Sequence, residues 1–212
     1  MLRAILLHFL LAFTATAVFA QIPAEVFVGH KQTQHEFFFF KDLDSARRFS
    51  VFSFARFAVD YKDRHLNSSF ISSQVTYNLT PRWGITAGGN YSGLDFNPIV
   101  AISYLYVNEK GDFFINLFPQ MIISENPVYE LFGLAFYTPK ISEKWSLFSQ
   151  LIFGSSINDK FNQHLLSYQQ VRLGLGYKNL FQFGIGIDQS QIGAAKTLTY
   201  SNNIGVFIRK EL

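Results

Sequence analysis

Residues 167–188 alternate apolar and polar side chains over two successive runs. Val171, Leu173, Leu175 and Tyr177 share one parity, and Gln170, Arg172, Gly174, Gly176 and Lys178 the other. After Asn179-Leu180, Phe181, Phe183, Ile185 and Ile187 oppose Gln182, Gly184, Gly186 and Asp188. A period of two places each set on one face of a β-strand. The same reading predicts about ten strands, near 49–61, 69–79, 82–92, 97–107, 112–123, 127–138 and 144–154, the two within 167–188, and 200–212. The segments near 97–107 and 112–123 are apolar on both parities, so their inner faces are less defined. Each run approximates the 9–11 residues that a tilted strand needs to cross a bilayer.

The connections fall into two sets. With the mature N-terminus on the periplasmic side, the inner turns are 79–82, 107–111, 138–144 and 178–180. The outer loops are 62–68, 92–97, 124–127, 155–164 and 188–199. The two longest lie outside, the asymmetry of membrane barrels. Hydrocarbon satisfies no open edge, so the first and last strands must pair. The chain end, Gly205 to Leu212, resembles the C-terminal assembly signal of bacterial outer-membrane β-barrel proteins. Here the last residue is Leu212 rather than an aromatic, with Phe207 five back. The resemblance implies a closed antiparallel up-and-down transmembrane barrel, all-β, over residues 49–212.

The flanking segments are read separately. Residues 1–20 form a secretory signal, with Arg3, an apolar run from Ala4 to Val18, and a small-residue cleavage site at Val18-Phe19-Ala20. Removal leaves 192 residues with a net charge of +2. Residues 21–48 do not fit the strand count. Phe37 to Phe40 is four aromatics in a row without period-two polarity. An eleventh strand would break the even number, so the segment is expected to be a periplasmic strap or plug.

Composition narrows the class. Phe, Tyr and Trp make up 17% of the chain, and charged residues only 16%, against about 25% in ordinary soluble domains. No mature stretch is long and apolar enough for a helical span. Lys and Arg are scattered, which gives no nucleic-acid footprint. The absence of Cys excludes disulfides, thiol catalysis and thiolate metal sites.

Alternation alone leaves open which face is inside. A soluble periplasmic ligand-binding barrel would turn its apolar face inward. Tyr61, Tyr77, Trp83, Tyr91, Trp145, Tyr177 and Phe181 sit near the ends of the apolar lines. Interfacial girdles need that placement, so the apolar face is expected to meet lipid. The lumen would then carry Arg56, Asp60, Gln74, Glu130 and Gln150, with Gln170, Arg172, Gln182, Asp188 and Arg209 further along the chain. Buried acids and guanidiniums pair, because an isolated charge away from water is costly. A filled polar interior is expected over an open pore.

Candidate chemistry is sparse. His65 lies near Asp63, Ser68 and Ser69 in a polar loop. His164 and Ser167, preceded by Asp159, differ in strand parity and are expected on opposite faces. Gly174-Leu175-Gly176 and Gly184-Ile185-Gly186 lack a third glycine and lie within strands, so neither is a phosphate loop. The four mature histidines have no metal-ligand spacing, and no cofactor is expected. The sequence therefore supports a small outer-membrane β-barrel, structural or a narrow channel, with membrane lipid and small polar solutes as partners. The alternatives are an outer-membrane acyl hydrolase or the soluble ligand-binding barrel.

Overall fold

The computed structural model describes residues 23–93, 95–158, 163–178, 180–193 and 197–211. The proposed signal segment, residues 1–20, lies outside them. Twelve antiparallel strands close into one barrel. They are β1 (Pro23–Gly29), β2 (Gln32–Asp42), β3 (Phe49–Asp60), β4 (Ser68–Asn78), β5 (Trp83–Ser92), β6 (Asp95–Val107), β7 (Phe113–Ile122), β8 (Val128–Tyr137), β9 (Trp145–Asn158), β10 (Gln163–Tyr177), β11 (Phe181–Ile192) and β12 (Thr199–Glu211). Each strand pairs with its neighbour in sequence, and β1 pairs with β12 from Pro23↔Glu211 to Gly29↔Gly205. Both ends of the described chain therefore lie at one rim, here the near rim.

The count of about ten strands is corrected to twelve, and residues 21–48 supply the difference. β1 and β2 form a hairpin inside the wall and seal it against β12 and β3. The strap-or-plug assignment is corrected with it. Polarity failed to mark β2 because this part of the interior is itself aromatic. Phe37 faces out, while Phe38 packs inward against Phe136 and Phe40 against Phe114. Two added strands preserve the even number, so each connection keeps its side.

The long outer loops expected at 155–164 and 188–199 are largely strand. β9 runs to Asn158, β10 begins at Gln163 and β11 runs to Ile192. Polar Ser155, Ser156 and Asn158 suggested a loop, but they occupy a wall that continues upward at the far rim. At the near rim the β2–β3 turn is closed by Asp44, whose Oδ1 accepts the Phe49 N–H at 2.8 Å. That bond, with a smaller contribution from Arg48, holds its carboxyl below the ordinary value.

Rows of aliphatic side chains point outward, while phenylalanines such as Phe52, Phe118 and Phe132 are enclosed with the polar groups. Ile185, Val206 and Ile208 are more than half exposed, whereas Arg172 is 0% and Arg209 1% exposed. The division expected of a soluble barrel, apolar within and polar without, is thus not the arrangement that forms. Outward aromatics pair at both rims: Trp83–Tyr104 at 4.7 Å and Trp145–Tyr177 at 4.8 Å near the chain ends, and Tyr91–Phe96 at 5.0 Å at the far rim.

Candidate functional site

The interior is bridged from wall to wall. Phe38 on β2 and Phe136 on β8 come from opposed strands of the ring, yet their ring centroids are 5.5 Å apart. Phe52 on β3 stacks on Phe118 of β7 at 5.6 Å and meets Phe132 of β8 at 6.1 Å. Phe27, Phe148 and Phe207 form a second buried cluster. Between these rings lies a charged centre organised by Glu25.

Glu25 sits directly opposite Arg209 across the closing seam. Its Oε2 accepts from Arg209 Nη2 at 2.6 Å and Nε at 3.1 Å. Its Oε1 accepts from Arg172 Nε at 2.8 Å, and Arg172 Nη1 donates to Asp188 Oδ1 at 2.6 Å. Charge-assisted bonds of this kind are about twice as strong as neutral ones. Each guanidinium also covers aromatic faces: Arg172 lies 3.9 Å from the Phe27 centroid, and Arg209 lies 4.8 Å from Phe148 and 4.9 Å from Phe38. Rings satisfy the flat faces of the cations while the carboxylates satisfy their edges. Gln150 accepts from Arg209, and Gln170 Nε2 donates to Glu36 Oε1 at 2.5 Å.

Of the residues singled out from sequence, the structure gathers Arg172, Arg209, Asp188 and Gln150 into this centre, with Gln170 beside it. Gln74 is buried but lies elsewhere, its Nε2 near Ser72 and Gln120. Glu130 accepts from Gln120 Nε2 at 2.9 Å, and the Arg56 guanidinium lies 5.8 Å over Tyr168. Gln182 lines a near-rim cavity of about 1010 Å³ whose floor includes Phe38, Phe148 and Arg209. Asp60 is at the far rim, where it accepts the Lys62 and Asp63 N–H groups at 2.8 and 2.9 Å; it is a turn-closing residue. Glu25, Glu36 and Phe27 were missed because the N-terminal hairpin was not counted as wall. The alternation of Ala24, Val26 and Val28 with Glu25 and Phe27 was the available signal.

One expectation about the outer surface is overturned. The β9–β10 register shifts between His164 and Leu166, so His164 pairs with Ile157 while Leu166 pairs with Ser156. This bulge adds a residue and reverses the parity above it. His164 and Ser167 therefore share the outward face, with Nε2 and Oγ 2.8 Å apart. A strict period of two had placed them on opposite faces.

No family model matches the chain, and no curated protein matches its sequence. Solved structures do resemble it. The NanC porin aligns with a TM-score of 0.51 at 11% identity, covering 91% of this chain and 99% of that one. The KdgM porin aligns at 10% identity with a TM-score of 0.48 over 91% and 99% of the respective chains. OmpT, an outer membrane protein of Vibrio cholerae, aligns at 9% identity with a TM-score of 0.41 over 91% and 96%. At these identities the likeness to the NanC porin is one of fold.

Proposed function

We propose that this chain is a bacterial outer-membrane β-barrel that acts as a narrow, internally braced conduit for small polar solutes. Residues 1–20 are removed on export, the near rim faces the periplasm, and the far rim faces outward. The observation that carries the reading is the distribution of side chains. Aliphatic residues cover the outside between aromatic rims, while polar and charged residues are enclosed. A soluble protein has no reason to expose Ile185 and Val206 while burying Arg172. A wall closed without a free edge is what hydrocarbon demands.

The interior favours a conduit over an inert plug. Buried Asn90, Asn116, Gln74 and Gln182 each carry a side-chain oxygen with no hydrogen-bond partner in the protein. Such groups pair with water or a polar solute. The near-rim cavity leads toward Arg209, where the charged centre and its rings narrow the way. Passage thus depends on that centre, as selectivity depends on the charges lining other pores.

In planar bilayers the inserted wild-type barrel should give small, brief currents. The quadruple variant Glu25→Ala, Arg172→Ala, Asp188→Ala, Arg209→Ala removes both guanidiniums together with the two carboxylates they pair with, and its currents should be several-fold larger. Equal currents from the two proteins, or silence from both after verified insertion, would rule out a path through the centre.

A further inference from the structure

The outward face of β10–β12 changes character at one level. Val171, Ile187 and Ile204 lie in register across the three strands; the next outward row is Gln169, Gln189 and Asn202, and the next Ser167, Gln191 and Tyr200. Aliphatic wall gives way to amides and hydroxyls. With the barrel in a membrane, as proposed above and as this inference requires, that change marks the boundary between acyl chains and head groups. The ester bonds of membrane lipids lie at the same depth.

Ser167 and His164 stand at this boundary, and their hydrogen bonds have forced directions. His164 Nδ1 is 2.8 Å from the Gly193 carbonyl oxygen, which can only accept. In neutral imidazole Nδ1 then holds the proton, and Nε2 presents its lone pair to Ser167 Oγ. Ser167 must donate there. Its Oγ also lies 2.9 Å from Ser155 Oγ, so the Ser155 hydroxyl donates to Ser167. Gly193 holds its carbonyl in place with φ of 106°, a conformation that favours glycine, and its N–H bonds to Leu165 O at 3.0 Å within the bulge. A hydroxyl bonded to a base that is itself oriented by a third group is the arrangement of an activated nucleophile.

A second feature adjoins the pair. Pro119, outward on β7, has no N–H for the ladder, and residues 102–103 and 118–119 are unpaired between β6 and β7. An outer-wall groove of about 680 Å³ lies there, lined by Val100, Ile102, Pro119, Leu131 and Ile157, with Ser155 on β9 among its walls. Leu131, Ser155 and Ser167 follow one another in register across β8, β9 and β10. The groove leads from an apolar bed to the hydroxyl beside the nucleophile.

We propose that Ser167 and His164 form a catalytic pair that hydrolyses long-chain acyl esters of membrane lipid, with the acyl chain held in this groove. Ser167 Oγ attacks the ester carbonyl carbon as its proton passes to His164 Nε2. The bond from that carbon to the alcohol oxygen breaks, and the proton leaves on the alcohol. Water then attacks the acyl-serine, giving a proton to Nε2; fatty acid is released and that proton restores Ser167. Ser155 and Gly193 are positioning residues.

The test uses full-length protein reconstituted in vesicles. A fluorophosphonate probe should label Ser167, located by peptide mass spectrometry, and labelling should be lost in His164→Ala. Fatty-acid release is followed in separate arms with phosphatidylethanolamine and lipid A; release in either arm supports the proposal and identifies the source. Ser167→Ala should abolish it, and His164→Ala should lower it by about 100-fold or more. Each barrel is also run unheated and boiled on a gel. A wild-type barrel with heat-dependent mobility, no adduct at Ser167 and no fatty acid released would overturn the proposal while sparing the membrane reading. A wild-type chain without the mobility change would sink both.

Discussion

Glu25→Ala is expected to cost the barrel about 3–5 kcal/mol, the range seen when one partner of a buried ion pair is removed. Glu25 accepts three guanidinium N–H bonds from two arginines, and all three residues are fully buried. Without it Arg209 keeps only the Gln150 acceptor and its aromatic faces, and Arg172 keeps Asp188. The damage falls on the closing seam, since Glu25 and Arg209 face each other across β1 and β12. Denaturant unfolding in detergent should show the midpoint fall sharply. Adding Arg209→Met to Glu25→Ala should recover part of the loss, because the double variant leaves one fewer unpaired cation. A single variant as stable as wild type would mean that the centre does not brace the wall.

The second large effect concerns packing at the same seam. Gly205 lies opposite Gly29 on β1 and Gly186 on β11. A Cβ at 205 would run into the Val28 carbonyl and approach the Gly29 Cα, which are backbone atoms without freedom to turn aside. A Cβ at Gly186 would lie 2.7 Å from Arg172 Cδ. The glycine row thus lets the Arg172 stem lie against the inner face of β11 and lets β1 and β12 close. Gly205→Val should lower stability by about 3 kcal/mol, the upper part of the overpacking range. It should also reduce the fraction that refolds to the fast-migrating form on a gel. Val206→Leu, on the outward side of the same strand, should leave that fraction unchanged. Equal yields from both variants would contradict the close approach.

The barrel was legible where its two faces differ in chemistry. From 170 to 177 and from 181 to 188 the outward residues are aliphatic or aromatic and the inward ones are glycine, amide or charge, so alternation reveals the strands directly. It fails in β2, where Phe38 and Phe40 fill the lumen and Phe37 faces out, because a ring serves either face. The charged centre was legible residue by residue in Arg172, Asp188 and Arg209. Its hub was not, since Glu25 lies in a strand of only seven residues, in the segment that was not counted as wall. The His164–Ser167 contact depends on a single inserted residue, and periodicity carries no sign of where a bulge falls.

In a membrane the aliphatic face should meet acyl chains while the polar face stays enclosed. The chain has no cysteine, so single cysteines can be placed and spin-labelled without removing any. Labels at Leu173, Ile185 and Val206, in a barrel reconstituted in vesicles, should relax strongly with dissolved oxygen and weakly with a water-soluble nickel chelate. Labels at inward Gln74 and Thr86 should lack that preference for oxygen. Strong nickel relaxation at all three outward sites, with oxygen preferred inside, would contradict the account.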